Sequence, residues 1–207
     1  MKKYCNKTDN PNYPLHHFET PFRSLVVATS GSGKSNFITN LIALFCKKIC
    51  KSVDEPLYRF LNDKSKGLIE VYENLEKLPA LNDINPCKQT LIIFDDFITS
   101  IKTHPIISEY FIRGRKKSCS IMFLSQSYYN TPKIKRQNIN YLVILKLGGT
   151  RDINSILREC SVDLTKNQLL EMYHDATCEK FNVFIINLDK SSNHRYRKNF
   201  TDYYTEI

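Results

Sequence analysis

The chain has 207 residues, 42% hydrophobic and 25% charged, which is ordinary globular usage and enough to bury the core of one domain. Thirty Lys and Arg against 21 Asp and Glu leave a formal charge of +9, a balance that favours polyanions: nucleic acid, nucleotide or an anionic membrane face. The longest strongly apolar runs, residues 41–46 and 141–145, are far short of the roughly 18–20 residues needed to cross a bilayer, so no spanning helix is expected.

No apolar stretch follows the basic start Met1-Lys2-Lys3, so no secretory signal is expected either. Seven cysteines, an odd number without a CxxC pair, argue against a disulfide framework and for a reducing intracellular compartment. Cys46 and Cys50 stand four apart, but no second Cys/His pair with zinc-finger spacing accompanies them, and they are read as plain thiols.

In chain order, residues 1–22, with Pro11, Pro14 and Pro21, read as an irregular arm. Residues 24–28 are short, apolar and β-branched, which predicts a buried strand. After a glycine-bearing loop, apolar residues at 37, 38, 41, 42, 44 and 45 give helical periodicity over 36–45. Residues 48–53 predict a short strand, 56–64 a short helix opened by Pro56, 68–72 a strand, and 73–78 a helical turn or two ended by Pro79.

The run Leu91-Ile92-Ile93-Phe94 within 89–95 has the pattern of a strand buried on both faces of a parallel sheet. A helix over 106–117, a second such strand over 120–124 and a third over 140–147 follow. Helices over 150–160 and 164–173 and a late strand over 181–188 complete the series. This alternation implies a single α/β domain with a mostly parallel central sheet flanked by helices. The expected organisation is the arm 1–22, a core 23–190 and a basic, aromatic tail 191–207.

The sharpest local feature is Ser30-Gly31-Ser32-Gly33-Lys34-Ser35 between a predicted strand and a predicted helix. Glycines let successive backbone N–H groups turn inward onto phosphate oxygens, and the following helix adds the positive end of its dipole. Lys34 would reach the β- and γ-phosphates of ATP, and the Ser35 hydroxyl would ligate Mg²⁺. The full phosphate-loop pattern has Gly where this chain has Ala28.

A hydrolysing loop also needs an acid for the metal and a base for water. Asp95 and Asp96, at the end of a predicted buried strand and 61 residues or more beyond Lys34, supply them: Asp95 for Mg²⁺, Asp96 for the attacking water. Gln126, after the next strand, offers an amide able to sense a γ-phosphate. Arg113 and Arg115 are open to three readings: arginine fingers for a neighbouring subunit's ATP, contacts to DNA phosphate, or a solvated helix end.

The order Ser-Gly-Ser-Gly-Lys-Ser, Ile-Ile-Phe-Asp-Asp, Arg-Gly-Arg-Lys, Ile-Met-Phe-Leu-Ser-Gln-Ser-Tyr-Tyr resembles the FtsK–HerA superfamily of DNA-pumping ATPases over roughly residues 22–150. It looks most like the genome-packaging ATPases of large eukaryotic DNA viruses and virophages. The resemblance implies an additional-strand P-loop NTPase fold, with the Gln126 strand between the loop strand and the Asp95 strand. It implies a pentameric or hexameric homo-oligomeric ring that threads double-stranded DNA into a capsid, with capsid vertex or portal proteins as partners. It implies a place in the host cytoplasm or virus factory. It carries ATP to residues 30–35, Mg²⁺ to Ser35 and Asp95, and catalysis to Asp96, Gln126 and an arginine at 113 or 115.

Lys116, Lys117, Lys133, Lys135 and Arg136 form basic clusters suited to gripping DNA phosphate without reading sequence. A third basic cluster, Arg195, Arg197 and Lys198, lies in the tail; Tyr128, Tyr129, Tyr196, Tyr203 and Tyr204 interleave with the basic residues and are expected to pack more than to stack. The five histidines show no spacing that suggests chemistry. Two other functions fit the loop: a small-molecule kinase, and a DNA-binding accessory protein that uses ATP as an assembly switch.

Overall fold

The computed structural model describes residues 12–46, 70, 72, 75–95 and 104–205. At its centre lies β1 (Arg23–Val27), whose side chains alternate across the sheet: Leu25 and Val27 enter one half of the core, Val26 the other. That alternation is the two-residue period of a strand covered on both faces. The next element is α2 (Lys34–Cys46), after a short α1 (Tyr13–His16). Phe37, Ile38, Leu41 and Ile42 stand three or four residues apart, so they share the helix face laid on the Val26 side.

On the other face lies α3 (His104–Arg113), which contributes Ile107, Tyr110 and Phe111. It connects β2 (Thr90–Asp95) to β3 (Cys119–Ser125), and β3 lies between β2 and β1, parallel to both. The additional-strand order implied by the resemblance is therefore present. After α4 (Lys133–Gln137), β4 (Tyr141–Ile144) pairs in parallel with the other side of β1. Two helices follow, α5 (Thr150–Cys160) and α6 (Lys166–Ala176). The second opens with a capping box in which Thr165 and Gln168 satisfy each other's backbone N–H groups.

β5 (Phe184–Asn187) then runs antiparallel to β4. After α7 (Ser192–Arg195), β6 (Tyr196–Lys198) and β7 (Asp202–Tyr203) extend the sheet, both antiparallel to their neighbours. Among the described residues the order is β2-β3-β1-β4-β5-β6-β7. The sheet is mixed: four parallel strands carry the sequence-predicted core, and an antiparallel wing comes from the late strand and the tail.

Three expectations need adjustment. β2 is half-buried apart from Phe94 rather than covered on both faces, because among the described residues it has a strand on one side only. Residues 12–22 are not merely an irregular arm: Phe18 and Phe22 are fully buried, and Glu19 N–H donates to Tyr141 Oη at 3.1 Å. The tail, expected only as basic and aromatic, is packed as well. Arg197 is buried with its guanidinium 5.1 Å from the Phe18 ring and 5.6 Å from those of Tyr141 and Tyr203.

Arg197 also donates to the His17 carbonyl and to Tyr203 Oη, each at 3.0 Å. His16 lies beneath it, and burial, reinforced by the Arg197 charge, pushes the imidazole down to about 4, so it is neutral at physiological pH. The elements expected over 48–53 and 56–64 lie outside the described residues. Of 68–72 only Glu70 and Tyr72 are described, and neither is in a strand. Of 73–78 a 3-10 turn, Leu75–Lys77, is seen.

Candidate functional site

β1 hands the chain to the phosphate loop at its C-terminal end. Ala28 prolongs the ladder, donating its N–H to the Ser125 carbonyl at 3.1 Å, and is fully buried. Among the described residues, positive φ outside glycine falls at His17, Ser118, Phe181 and Asn199. Ala28 therefore needs no glycine-like freedom, and the departure from the loop pattern is structurally harmless. The freedom is used at Gly31, with φ +76°, and Gly33, with φ +102°.

Between the glycines, Ser32 turns back on Thr29, its N–H and Oγ both donating to the Thr29 carbonyl at 3.2 and 2.6 Å. Thr29 is anchored in turn by Oγ1 to the Lys146 carbonyl at 3.0 Å, beyond β4. The α2 ladder opens with Phe37 N–H to Gly33 C=O at 2.9 Å. The amides of Lys34, Ser35 and Asn36 thus sit in the first turn, where N–H groups have no intrahelical acceptor and the dipole favours an anion. Lys34 is half-buried, and Ser30, Gly31 and Ser35 are exposed.

The acid and the amide leave the same edge of the sheet. Asp95 pairs with Leu124 and Leu124 with Val26, while Ser125 pairs with Val27, so Asp95, Gln126 and the loop follow the ends of three adjacent parallel strands. Asp95 is half-buried and Gln126 exposed. The turn that carries Gln126 is fastened. Ser127 N–H donates to Ser125 Oγ at 3.1 Å, and Asp152 accepts from Ser127 Oγ at 2.9 Å and from Tyr129 N–H at 2.8 Å. Asp96 lies outside the described residues.

The structure does not bring Arg113 or Arg115 to this chain's own loop. α3 and the 3-10 turn Gly114–Lys117 enter the far end of β3, whose seven residues at about 3.3 Å each separate that edge from Gln126 by about 20 Å. Arg113 is exposed and pairs with Glu109 at 2.6 Å, and Arg115 and Lys116 are exposed.

The proposed DNA contacts divide. Lys133 is exposed, Lys117 is half-buried with Nζ 3.4 Å from the Asn82 carbonyl, and Arg136 is paired with Glu159 at 2.9 Å. Lys135 has to be withdrawn from the set. It is fully buried, its Nζ has no hydrogen-bond partner and sits 3.9 Å over the Phe123 ring, and burial pushes its pKa down to about 8. Tyr128 is buried, its hydroxyl donating to Glu159 at 3.0 Å, as expected of a packing residue. Burial pushes the Cys119 and Cys160 thiols up to about 11, so neither is a nucleophile at neutral pH.

Two features were missed. One is Phe181, which lies against Gly33: a Cβ there would meet its ring at 2.5 Å. The other is an open basic groove lined by Tyr129, Arg151, Arg158 and Lys166, where the Arg151 guanidinium stacks 3.6 Å over the Tyr129 ring. Arg151 and Arg158 are seven apart, two helical turns, which is the signal a search for charge runs passes over. Among the described residues, no helix is long and apolar enough to cross a membrane.

With this geometry in view, the relatives can be weighed. The fold matches the DNA-packaging ATPase of Sulfolobus turreted icosahedral virus, with a TM-score of 0.60 at 13% identity over 87% of this chain and 97% of that one. It matches the genome packaging NTPase of Sulfolobus turreted icosahedral virus 2, solved in complex with ATP-gammaS, with a TM-score of 0.58 at 12% identity over 86% and 97% of the two chains. At such identities the likeness speaks for the fold.

In sequence, the DNA packaging protein OPG160 of vaccinia virus (strain Copenhagen) is 26% identical over 170 residues, and that of variola virus 25%. Those alignments cover 73% of this chain and 63% of each relative, so the chain spans under two thirds of the length of the curated relatives it matches. The poxvirus A32 protein family model matches residues 61–201, more than half of the chain and most of the sheet, Asp95 and Gln126 included. The phosphate loop precedes that segment and is joined to it by the ladders of β1 with β3 and β4. On this match the chain belongs to the poxvirus A32 protein family.

Proposed function

We propose that the chain is an ATPase motor that moves double-stranded DNA and packages a viral genome into its capsid. One observation carries the reading: a loop with two positive-φ glycines at the head of α2 shares a sheet edge with Asp95 and Gln126. The fold of packaging NTPases and the similarity to poxvirus DNA packaging proteins support the job that this edge performs.

The residues take these roles. The loop amides and Lys34 hold the triphosphate and orient it. Ser35 and Asp95 offer hard oxygen donors, the set Mg²⁺ prefers; held there, the ion would supply charge neutralisation to the triphosphate. Asp96 accepts a proton from water as its oxygen bonds to the γ-phosphorus, the bond to the β-phosphate oxygen breaks, and ADP leaves. Gln126 donates to the γ-phosphate and reports its loss to the turn that Asp152 fastens.

Arg113 or Arg115, at the opposite ends of the strands, would act as the finger for a neighbouring subunit's site, in keeping with a ring of five or six copies. Lys116, Lys117 and Lys133 hold DNA phosphates, and capsid vertex or portal proteins receive the ring. The setting is the infected cell's cytoplasm or virus factory.

The test measures ATP hydrolysis with and without duplex DNA at low salt, together with oligomer mass on the same sample. The proposal expects DNA-stimulated turnover by a ring. Equal rates with and without DNA would remove the coupling, and phosphate transfer to a nucleotide or metabolite instead of water would make the protein a kinase.

A further inference from the structure

Phe181 lies against Gly33 of the phosphate loop, and no role above employs it. It is a bulky side chain at φ +74°, a conformation that persists only where the surroundings enforce it. The enforcement is visible. Asn182 Nδ2 donates to Glu179 at 3.1 Å, Asn199 Nδ2 donates to Asn182 at 3.2 Å, and Val183 N–H donates to Asn199 Oδ1 at 3.1 Å. The same β6–β7 connection stacks Phe200 on Phe37, in the first turn of α2, at 5.5 Å and 10° between planes. For all this bracing, Phe181 remains 47% exposed while touching Gly33. A core residue would be covered, and a loop residue without a task would not be held in strain.

Topology says what the exposed ring faces. Asp95 and Gln126, which attend the γ-phosphate, lie on the β2 and β3 side of β1. A nucleotide laid along the loop with its γ-phosphate toward them carries its base toward β4 and β5. β5 is antiparallel to β4, with Phe184 opposite Ile144, so the entry to β5 stands at the loop edge of the sheet. Phe181, three residues before that strand, is thereby delivered to the base end.

We infer that the Phe181 ring is the stacking platform for the purine of the bound nucleotide. The inference rests on the phosphate-loop reading above and adds the residue that holds the base. Base-on-aromatic stacking tolerates any base with a π-face, so the platform favours nucleotides over bare polyphosphate more strongly than one base over another.

The chain has no tryptophan, so Phe181→Trp installs a single tryptophan, whose emission can be excited apart from that of the tyrosines, and also keeps a ring in place. Binding of ATP and of inorganic tripolyphosphate, each with Mg²⁺, is measured on wild type, Phe181→Ala and Phe181→Trp. The expected result is that wild type prefers ATP, that Phe181→Ala weakens ATP about tenfold and leaves tripolyphosphate unchanged, and that Phe181→Trp retains ATP affinity while its emission is quenched by ATP alone. Equal weakening of both ligands would make Phe181 a prop for the loop. Tighter binding of both would make it an obstruction, and no change would leave it without a part, so each overturns the inference while the phosphate loop stands. Failure of wild type to bind tripolyphosphate or ATP would sink the loop reading and the inference with it.

Discussion

Lys135→Met is the substitution whose outcome the structure fixes most tightly. The ammonium is fully buried over Phe123 without a hydrogen-bond partner, and its pKa falls from 10.5 to about 8. A shift of that size corresponds to about 3 kcal/mol against the charged form. Methionine fills the same space without a charge, so the variant should be more stable than wild type at pH 7 by about 2 kcal/mol once solvent screening of the charge is allowed for.

The sign of the pH dependence follows from proton counts. Between about 8 and 10.5 the unfolded chain keeps the lysine proton that the folded protein has shed, so wild-type stability rises with pH across that window and the gap to the variant closes. Urea denaturation of both proteins from pH 7 to 10 reads the difference directly, and duplex DNA binding should keep its affinity and its salt dependence. A variant less stable than wild type at pH 7, a gap that does not narrow, or a loss of DNA affinity would refute the reasoning.

Four other substitutions separate roles that the sequence leaves mixed. Asp96→Ala should bind ATP with near wild-type affinity and fail to turn it over, measured by equilibrium binding and phosphate release. Lys133→Ala should weaken duplex binding and lower the salt slope by about 1, whereas Arg136→Ala, which breaks the pair with Glu159, should lower the Tm and leave the slope unchanged. Thr165→Ala removes the α6 capping box and should cost about 1 kcal/mol in chemical denaturation without touching nucleotide binding.

The parallel half of the fold was legible because its strands are continuous apolar runs and its loop has few alternatives. The run 120–124 became β3, with all seven residues of the strand buried. Strand direction was not legible: Phe184–Asn187 has the same apolar pattern whether it runs with β4 or against it, and only the pairing settles it. The tail hid its strands because β6 is three residues, Tyr-Arg-Lys, with no periodicity to detect.

The basic cluster at 133–136 illustrates a further limit. Lys133 and Lys135 read alike in sequence, yet on the short α4 they face opposite ways, one into water and one onto Phe123. The Gly33–Phe181 contact joins positions 148 residues apart, a distance at which no local signal exists.

The clasp of Arg197 on Phe18, His17 and Tyr141 has a consequence for how the chain is made. Residues 16–18 are synthesised well before the guanidinium that completes their packing, which follows 180 residues later. At about 5–20 residues per second, that segment waits on the order of ten seconds or more for the guanidinium that covers Phe18. During that interval the parallel sheet can assemble around β1, but its flank stays open until β6 is added. Addition of β6 is therefore the step that closes this flank of the sheet.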